Sequence, residues 1–288
     1  MSYVYLNGET VEEENAGISL SDIGLIRGYG VFEVIRTFNK IPFLLEDHLK
    51  RLEKSAEFMN LKIPEEKSDI KNAIEELIRK NKIENEAQIR IVLSGGRTVD
   101  GMTYDKNNPT FYIMVTEFPQ LPDRYFKDGI KLITTEYQRQ TPKVKTLDYA
   151  RAVRLHPKVK KEEAFELLYK RDGKILEATT SNFFIVKDGT VITPREGVLL
   201  GTTRKYIINL LKESGIPFEE RDVEIKEIKE ADEAFITATN KDVMPVCKVD
   251  GLEISKVPGK ITRKIIDLFY KNALLDVSPP GVEPRSRD

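Results

Sequence analysis

Gly173-Lys174-Ile175-Leu176-Glu177-Ala178-Thr179-Thr180-Ser181-Asn182-Phe183-Phe184 sets two apolar runs on either side of a hydroxyl-rich turn, with a carboxylate at the junction. Asp172-Gly173 ahead of it is a turn dipeptide, and so is Asp188-Gly189 behind it. The stretch reads as short, hairpin-like strands over 175–177 and 182–186. Working outward, strands are predicted over 164–169, 130–137 and 233–238, and helices over 202–214 and 260–271.

The N-terminal part has its own order of elements. Residues 3–6 alternate and run into Asn7-Gly8, a hairpin signal. Residues 31–38 are β-branched and aromatic; Asn39-Lys40 turns the chain and 41–45 returns as a strand. Leu49, Leu52, Ala56 and Met59 then recur at helical spacing, which predicts a helix over 46–60. Ser68 is positioned to cap a second helix with Ile70, Ala73, Ile74, Leu77 and Ile78 as its apolar stripe. Strands over 87–93 and 110–117 follow. Pro119, Pro122 and several charges mark a linker. The expected organisation is a mixed α/β chain of two domains, of α+β character. A smaller N-terminal domain covers residues 1–118, a linker 119–128, a larger C-terminal domain 129–272, and a mobile tail 273–288 that includes Pro279-Pro280-Gly281.

Composition narrows the function class. Of 288 residues, 40% are hydrophobic and 32% charged, a globular rather than a disordered mixture. Lys plus Arg total 46 against 47 acidic residues, so no basic surplus points to nucleic acid. Cys247 is the single cysteine. It cannot form an internal disulfide, no Cys/His cluster suggests a metal, and its simplest reading is a small buried apolar residue. No signal-peptide pattern and no run of ~18 apolar residues occurs, so a cytoplasmic protein without membrane partners is expected.

Four stretches can carry chemistry, and each has a structural alternative. In Gln140-Thr141-Pro142-Lys143-Val144-Lys145-Thr146-Leu147-Asp148-Tyr149, Lys145 is either a solvated charge or an amine nucleophile. Burial and a nearby cation such as Lys143 would deprotonate it. Glu177 is either an exposed strand-end carboxylate or one held against a protonated ring nitrogen. Gly197-Val198-Leu199-Leu200-Gly201-Thr202-Thr203-Arg204-Lys205 opens a helix with glycine and hydroxyls, which suits a phosphate or an ordinary cap. Ile236-Thr237-Ala238-Thr239-Asn240 ends a strand in small polar residues that form either a turn or a second set of phosphate donors.

The order of these stretches resembles the fold-type IV pyridoxal phosphate (PLP) enzymes: branched-chain aminotransferases, D-amino acid aminotransferases and aminodeoxychorismate lyases. The resemblance runs from about Tyr3 to Leu268. It includes Gly28-Tyr29-Gly30-Val31-Phe32-Glu33-Val34-Ile35-Arg36 as the glycine-rich strand entry and Glu46-Asp47-His48-Leu49-Lys50-Arg51-Leu52 as the His-Leu-x-Arg-Leu helix. It implies PLP as cofactor, Lys145 as the lysine that carries it, and a C-terminal cofactor-binding domain. It also implies Arg51 on the phosphate, Glu177 on the pyridine nitrogen and Tyr149 beside the phenolic oxygen. Thr203 and Thr239 match phosphate-binding hydroxyls, with backbone N–H groups of Thr202 and Asn240 beside them. Arg51 points away from the apolar stripe of its helix, so the core is not expected to need it.

The reaction so implied is transamination between an amino acid and a keto acid, in a homodimer. A lyase on the same scaffold, or a binding protein that kept the fold, are the alternatives. Arginine is expected to hold the substrate carboxylate, with Arg90, Arg27 and Arg97 as candidates. Phe32 matches branched-chain relatives, and the D-specific trap of a tyrosine at position 32 with an Arg-x-His pair in the loop that follows is absent, since the histidines are His48 and His156. Arg27-Gly28-Tyr29-Gly30, Arg90 and the lysine loop resemble a D-specific subgroup that uses arginines instead. The expectation is a D-amino acid donor with 2-oxoglutarate or pyruvate as acceptor, and a branched-chain L-amino acid is the alternative.

Overall fold

The computed structural model describes residues 1–254 and 257–277. The chain divides into two units. Met1–Pro119 is joined by Val144–Tyr149 in the first, and Gln120–Lys143 with Ala150–Leu275 forms the second. The lysine loop, expected in the C-terminal domain, therefore groups in large part with the N-terminal unit.

In the first unit, β1 (Tyr3–Leu6) and β2 (Glu9–Glu12) form a hairpin. Asn7 and Gly8 make its turn, both left-handed at φ 48° and 99°, as a two-residue hairpin loop requires. Then come α1 (Ile23–Arg27), β3 (Gly30–Phe38), β4 (Ile41–Pro42), α2 (Leu45–Phe58), α3 (Lys67–Lys80), β5 (Ala87–Ser94) and β6 (Thr110–Glu117). The strands make one antiparallel sheet in the order β2-β1-β6-β5-β3-β4. Alternation sends Val31, Ile35, Ile89, Ile91, Leu93, Phe111 and Ile113 to one face, against Leu49, Leu52 and Ala56 of α2 and Ile70, Ile74 and Leu77 of α3. Each fully buried aliphatic side chain contributes about 1.5–3 kcal/mol. The opposite face carries Phe32, Val34, Arg90 and Tyr112.

Two local expectations change in this unit. The strand expected over 41–45 stops at Pro42, and Leu44 turns left-handed (φ 55°) to start α2 one residue early. Ser68 is not a cap: α3 begins at Lys67 after Glu66, which makes no side-chain capping bond.

The second unit contains α4 (Arg124–Lys127), β7 (Ile130–Glu136), α5 (Ala150–Lys161), β8 (Glu166–Arg171), β9 (Lys174–Ala178), β10 (Asn182–Lys187) and β11 (Thr190–Thr193). It continues through α6 (Thr202–Glu213), β12 (Phe218–Glu220), β13 (Val223–Glu224), α7 (Glu227–Glu230), β14 (Glu233–Ala238), β15 (Asp242–Val249), β16 (Leu252–Glu253) and α8 (Lys260–Asp276). Its sheet runs β12-β11-β10-β14-β15-β7-β8-β9-β13. An additional pairing sets Glu177 of β9 opposite Asn182 of β10. That contact closes β10, β14, β15, β7, β8 and β9 into a ring around Ile130, Leu132, Leu168, Phe183, Ile236, Met244 and Val246. The stretch from Gly173 to Phe184 is thus the seam of a closed barrel.

The tail begins later than expected, because residues 273–276 belong to α8. Residues 278–288, including Pro279-Pro280-Gly281, lie outside the described residues. The linker over 119–128 contains α4. Cys247 is half-buried on β15, and burial pushes its thiol up. Among the described residues no helix is long and apolar enough to cross a membrane.

Candidate active site

The first unit gathers three of the expected residues around the ring of a fourth, Phe32. The backbone of the lysine loop lies along the start of β3: Phe32 N–H donates to the Lys145 carbonyl at 3.0 Å and Leu147 N–H to the Gly30 carbonyl at 2.9 Å. This anchoring sets Lys145 Nζ 4.5 Å from the centroid of the Phe32 ring. The Tyr149 ring meets the same ring edge-on at 5.8 Å, and the Arg90 guanidinium stands 5.9 Å from its centroid. Arg90 reaches this position because β5 turns Ile89 and Ile91 into the core and Arg90 to the other face. Arg27 and Arg97 have other surroundings. Arg27 ends α1 with its guanidinium by Gly101, and Arg97 is exposed, its backbone bridged to Asp22.

Arg51 has a partner that sequence reasoning overlooked. Its Nε and Nη2 donate to Glu33 Oε1 and Oε2 at 2.7 and 2.6 Å, a bidentate fork. Glu33 is fully buried and also accepts from His48 Nδ1 at 2.7 Å. Burial alone would raise the Glu33 carboxyl, but Arg51 and His48 outweigh it and hold it at about 2. Burial lowers His48 below its ordinary value although Glu33 pulls the other way. The expectation that the core does not need Arg51 is therefore corrected: it neutralises a carboxylate on the core face of β3. The signal was present in Val31-Phe32-Glu33-Val34-Ile35. An acid on the inward side of a buried strand requires a cation nearby.

The second unit holds the remaining candidates. Glu177 is buried; Arg139 Nε donates to its Oε1 at 2.9 Å and Leu199 N–H to its Oε2 at 2.9 Å. It is not an exposed strand end. Arg139, also bonded to the Pro142 carbonyl at 2.5 Å, is a second residue the sequence reading missed. Thr202 and Thr203 are buried in the first turn of α6, whose N-cap, Gly201, supplies no side-chain bond and whose first turn carries no acid. A Cβ on Gly201 would lie 2.2 Å from Asn182 Oδ1, so the chain must be bare there. Thr239 and Asn240 are half-buried in the turn between β14 and β15. Lys143, expected to assist the lysine, is exposed and 3.6 Å from Glu196.

The pattern of an anchored lysine, a buried carboxylate and a helix opening on hydroxyls has counterparts among known proteins. The family model for amino-transferase class IV matches residues 30–249. The chain belongs to the class IV aminotransferases. This aminotransferase is 36% identical over 278 residues to a Methanocaldococcus jannaschii protein with a provisional branched-chain-amino-acid aminotransferase name, covering 92% of this chain and 94% of the other. It is 31% identical over 280 residues to the D-alanine aminotransferase of Bacillus licheniformis, with 96% and 98% covered. The solved branched-chain amino acid aminotransferase of Escherichia coli superposes with a TM-score of 0.89 at 26% identity, covering 97% of each chain.

The fold is that of the fold-type IV enzymes, and the cofactor of this class is PLP. The residues of this aminotransferase fit the group. A phosphate suits the α6 N-terminus, where the bare Gly201 and the absence of acid leave the helix dipole unopposed. A protonated ring nitrogen suits Glu177, a carboxylate already oriented by two donors.

Proposed function

We propose that this enzyme transfers the amino group of a D-amino acid to 2-oxoglutarate or pyruvate. The observation that carries the reading is the convergence of Lys145, Tyr149 and Arg90 on Phe32. Bound PLP supplies a carbonyl that bonds an amine and a ring that takes up the electron pair left at Cα. Lys145 would carry the cofactor, and its amine, once freed by the incoming amino acid, would act as the base that takes and returns the substrate Cα proton. Glu177 would keep the ring nitrogen protonated, and Tyr149 would serve the phenolic oxygen. Thr203 and Thr239, with N–H groups of Thr202 and Asn240, take the phosphate. Arg51, whose Nε and Nη2 are held by Glu33, is the arginine proposed for the phosphate.

Arg90 binds the substrate carboxylate, with Arg27 and Arg97 as further candidates. Fixing the carboxylate on one side decides which enantiomer turns its Cα–H toward the base. Exposed Leu20, Leu25, Val99 and Met102, on α1 and the loops before it and after β5, support a homodimer that covers them. The compartment proposed is the cytoplasm.

The second reading, a branched-chain L-amino acid donor, is favoured by Phe32 and by the name of the Methanocaldococcus jannaschii relative. The test is steady-state transamination of D-alanine and D-glutamate against L-leucine and L-valine, with 2-oxoglutarate as acceptor, or pyruvate where glutamate is the donor. A higher kcat/KM for the D-amino acids supports the first reading, and a clear preference for L-leucine replaces it with the second.

A further inference from the structure

Lys241 is a buried cation that none of these roles uses. It is 6% exposed, although it directly follows Thr239 and Asn240 in the turn between β14 and β15. Ala238 pairs with Asp242, and Lys241 N–H donates to the Ala238 carbonyl at 3.1 Å. Residues 239–241 are therefore a three-residue hairpin loop, followed by left-handed Asp242 at φ 53°. The Lys241 side chain leaves this loop and meets Glu166 Oε1 of β8 at 2.7 Å. It also donates to Thr180 Oγ1 at 2.6 Å and to Asn240 Oδ1 at 3.3 Å. Glu166 accepts in turn from Thr180 Oγ1 at 2.6 Å, Thr180 N–H at 3.4 Å and Ser181 Oγ at 3.3 Å. One buried ion pair thus ties together the start of β8, the turn between β9 and β10, and the turn between β14 and β15.

A buried pair adds little net stability, because desolvating both ions offsets their attraction. What it does well is fix geometry. A short loop that offers N–H donors to an anion must hold them in place before the anion arrives. We propose that Lys241, with Glu166 and Thr180, is a positioning residue that holds the Thr239-Asn240 backbone for the phosphate of PLP. The inference rests on the phosphate role given above to Thr239 and Asn240. Lys241 acts through that loop, its ammonium being engaged by Glu166.

The parent, Lys241→Met and Thr180→Val are titrated with PLP and with pyridoxal, which lacks the phosphate, by following cofactor absorbance. Lys241→Met weakens PLP binding by about ten- to a hundredfold, the factor for one lost charged hydrogen bond, while pyridoxal binding stays within about twofold. Thr180→Val shifts PLP binding in the same direction. Equal weakening of both ligands makes the pair merely structural and overturns the proposal. Unchanged PLP affinity in the variants does so too. If Lys241→Met does not fold, Thr180→Val decides alone by the same two criteria. A parent that binds neither ligand overturns the cofactor reading itself, whereas a parent that binds PLP with unaffected variants overturns only the positioning role.

Discussion

At the residue scale, Arg51 holds a place in the fold through its fork to Glu33, besides the phosphate role proposed for it. Removing it leaves Glu33 charged and buried without its fork. Arg51→Ala is expected to lose about 3–5 kcal/mol of stability, read from urea denaturation of the cofactor-free chain. Adding Glu33→Gln to that variant recovers much of the loss, because the unpaired charge is then gone. Acid acts on the same cluster. Both groups bind protons more weakly folded than unfolded, so stability present at neutral pH is lost on acidification. His48 contributes to that loss below its ordinary 6.5, and Glu33 contributes from its ordinary 4.5 down to about 2. Denaturation midpoints should therefore fall as pH is lowered through these windows, and less so in the Glu33→Gln variant at the lower end. Lys145→Ala should bind PLP only noncovalently and lose turnover by about 10²–10⁴-fold or more. Normal turnover in that variant contradicts its role. Arg90→Ala should raise KM for both amino and keto acids while PLP stays bound, and an unchanged KM removes it as the carboxylate ligand.

At the element scale, strands marked by alternation and turn dipeptides were legible, and those interrupted by proline were not. The hairpin at Asn7-Gly8, the strand of residues 110–117 and the helix that follows Gly201 came through because period and punctuation agree there. β15 was missed although it is central, since Pro245 argues against an inner strand. The ladder explains why it is tolerated. Pro245 pairs with Phe235 of β14, and pairing to β7 starts only at Val246. The proline therefore sits before the second ladder begins. Pro157 hid α5 in the same way, since a proline inside a helix removes a ladder bond. The opening of α6 makes the element-scale prediction. Gly201→Ala drives a Cβ into Asn182 and should cost about 1–3 kcal/mol and weaken PLP binding. A melting temperature and PLP affinity equal to the parent's would show that the close approach does not matter.

At the scale of the whole molecule, the sequence order of motifs carries the family, while the pairings between distant segments do not. Lys145, Glu177 and the α6 opening are each marked by local neighbours. Glu33 with Arg51, Arg139 with Glu177, and Lys241 with Thr180 are bonded across 18, 38 and 61 residues of sequence. Only folding brings such pairs together, so periodicity cannot find them. The closed ring is equally invisible locally, because its last link is the single pairing of Asn182 with Glu177. The central claim is that the molecule takes an amino group onto its cofactor and keeps it there until a keto acid arrives. The direct measurement is a half-reaction without acceptor. PLP-loaded protein is mixed separately with D-alanine, D-glutamate, L-leucine and L-valine, and both the keto acid and the cofactor are recovered and identified. The account predicts stoichiometric keto acid and pyridoxamine 5'-phosphate, with the D-amino acids reacting first. Recovery of unchanged PLP and no keto acid with all four donors would contradict it.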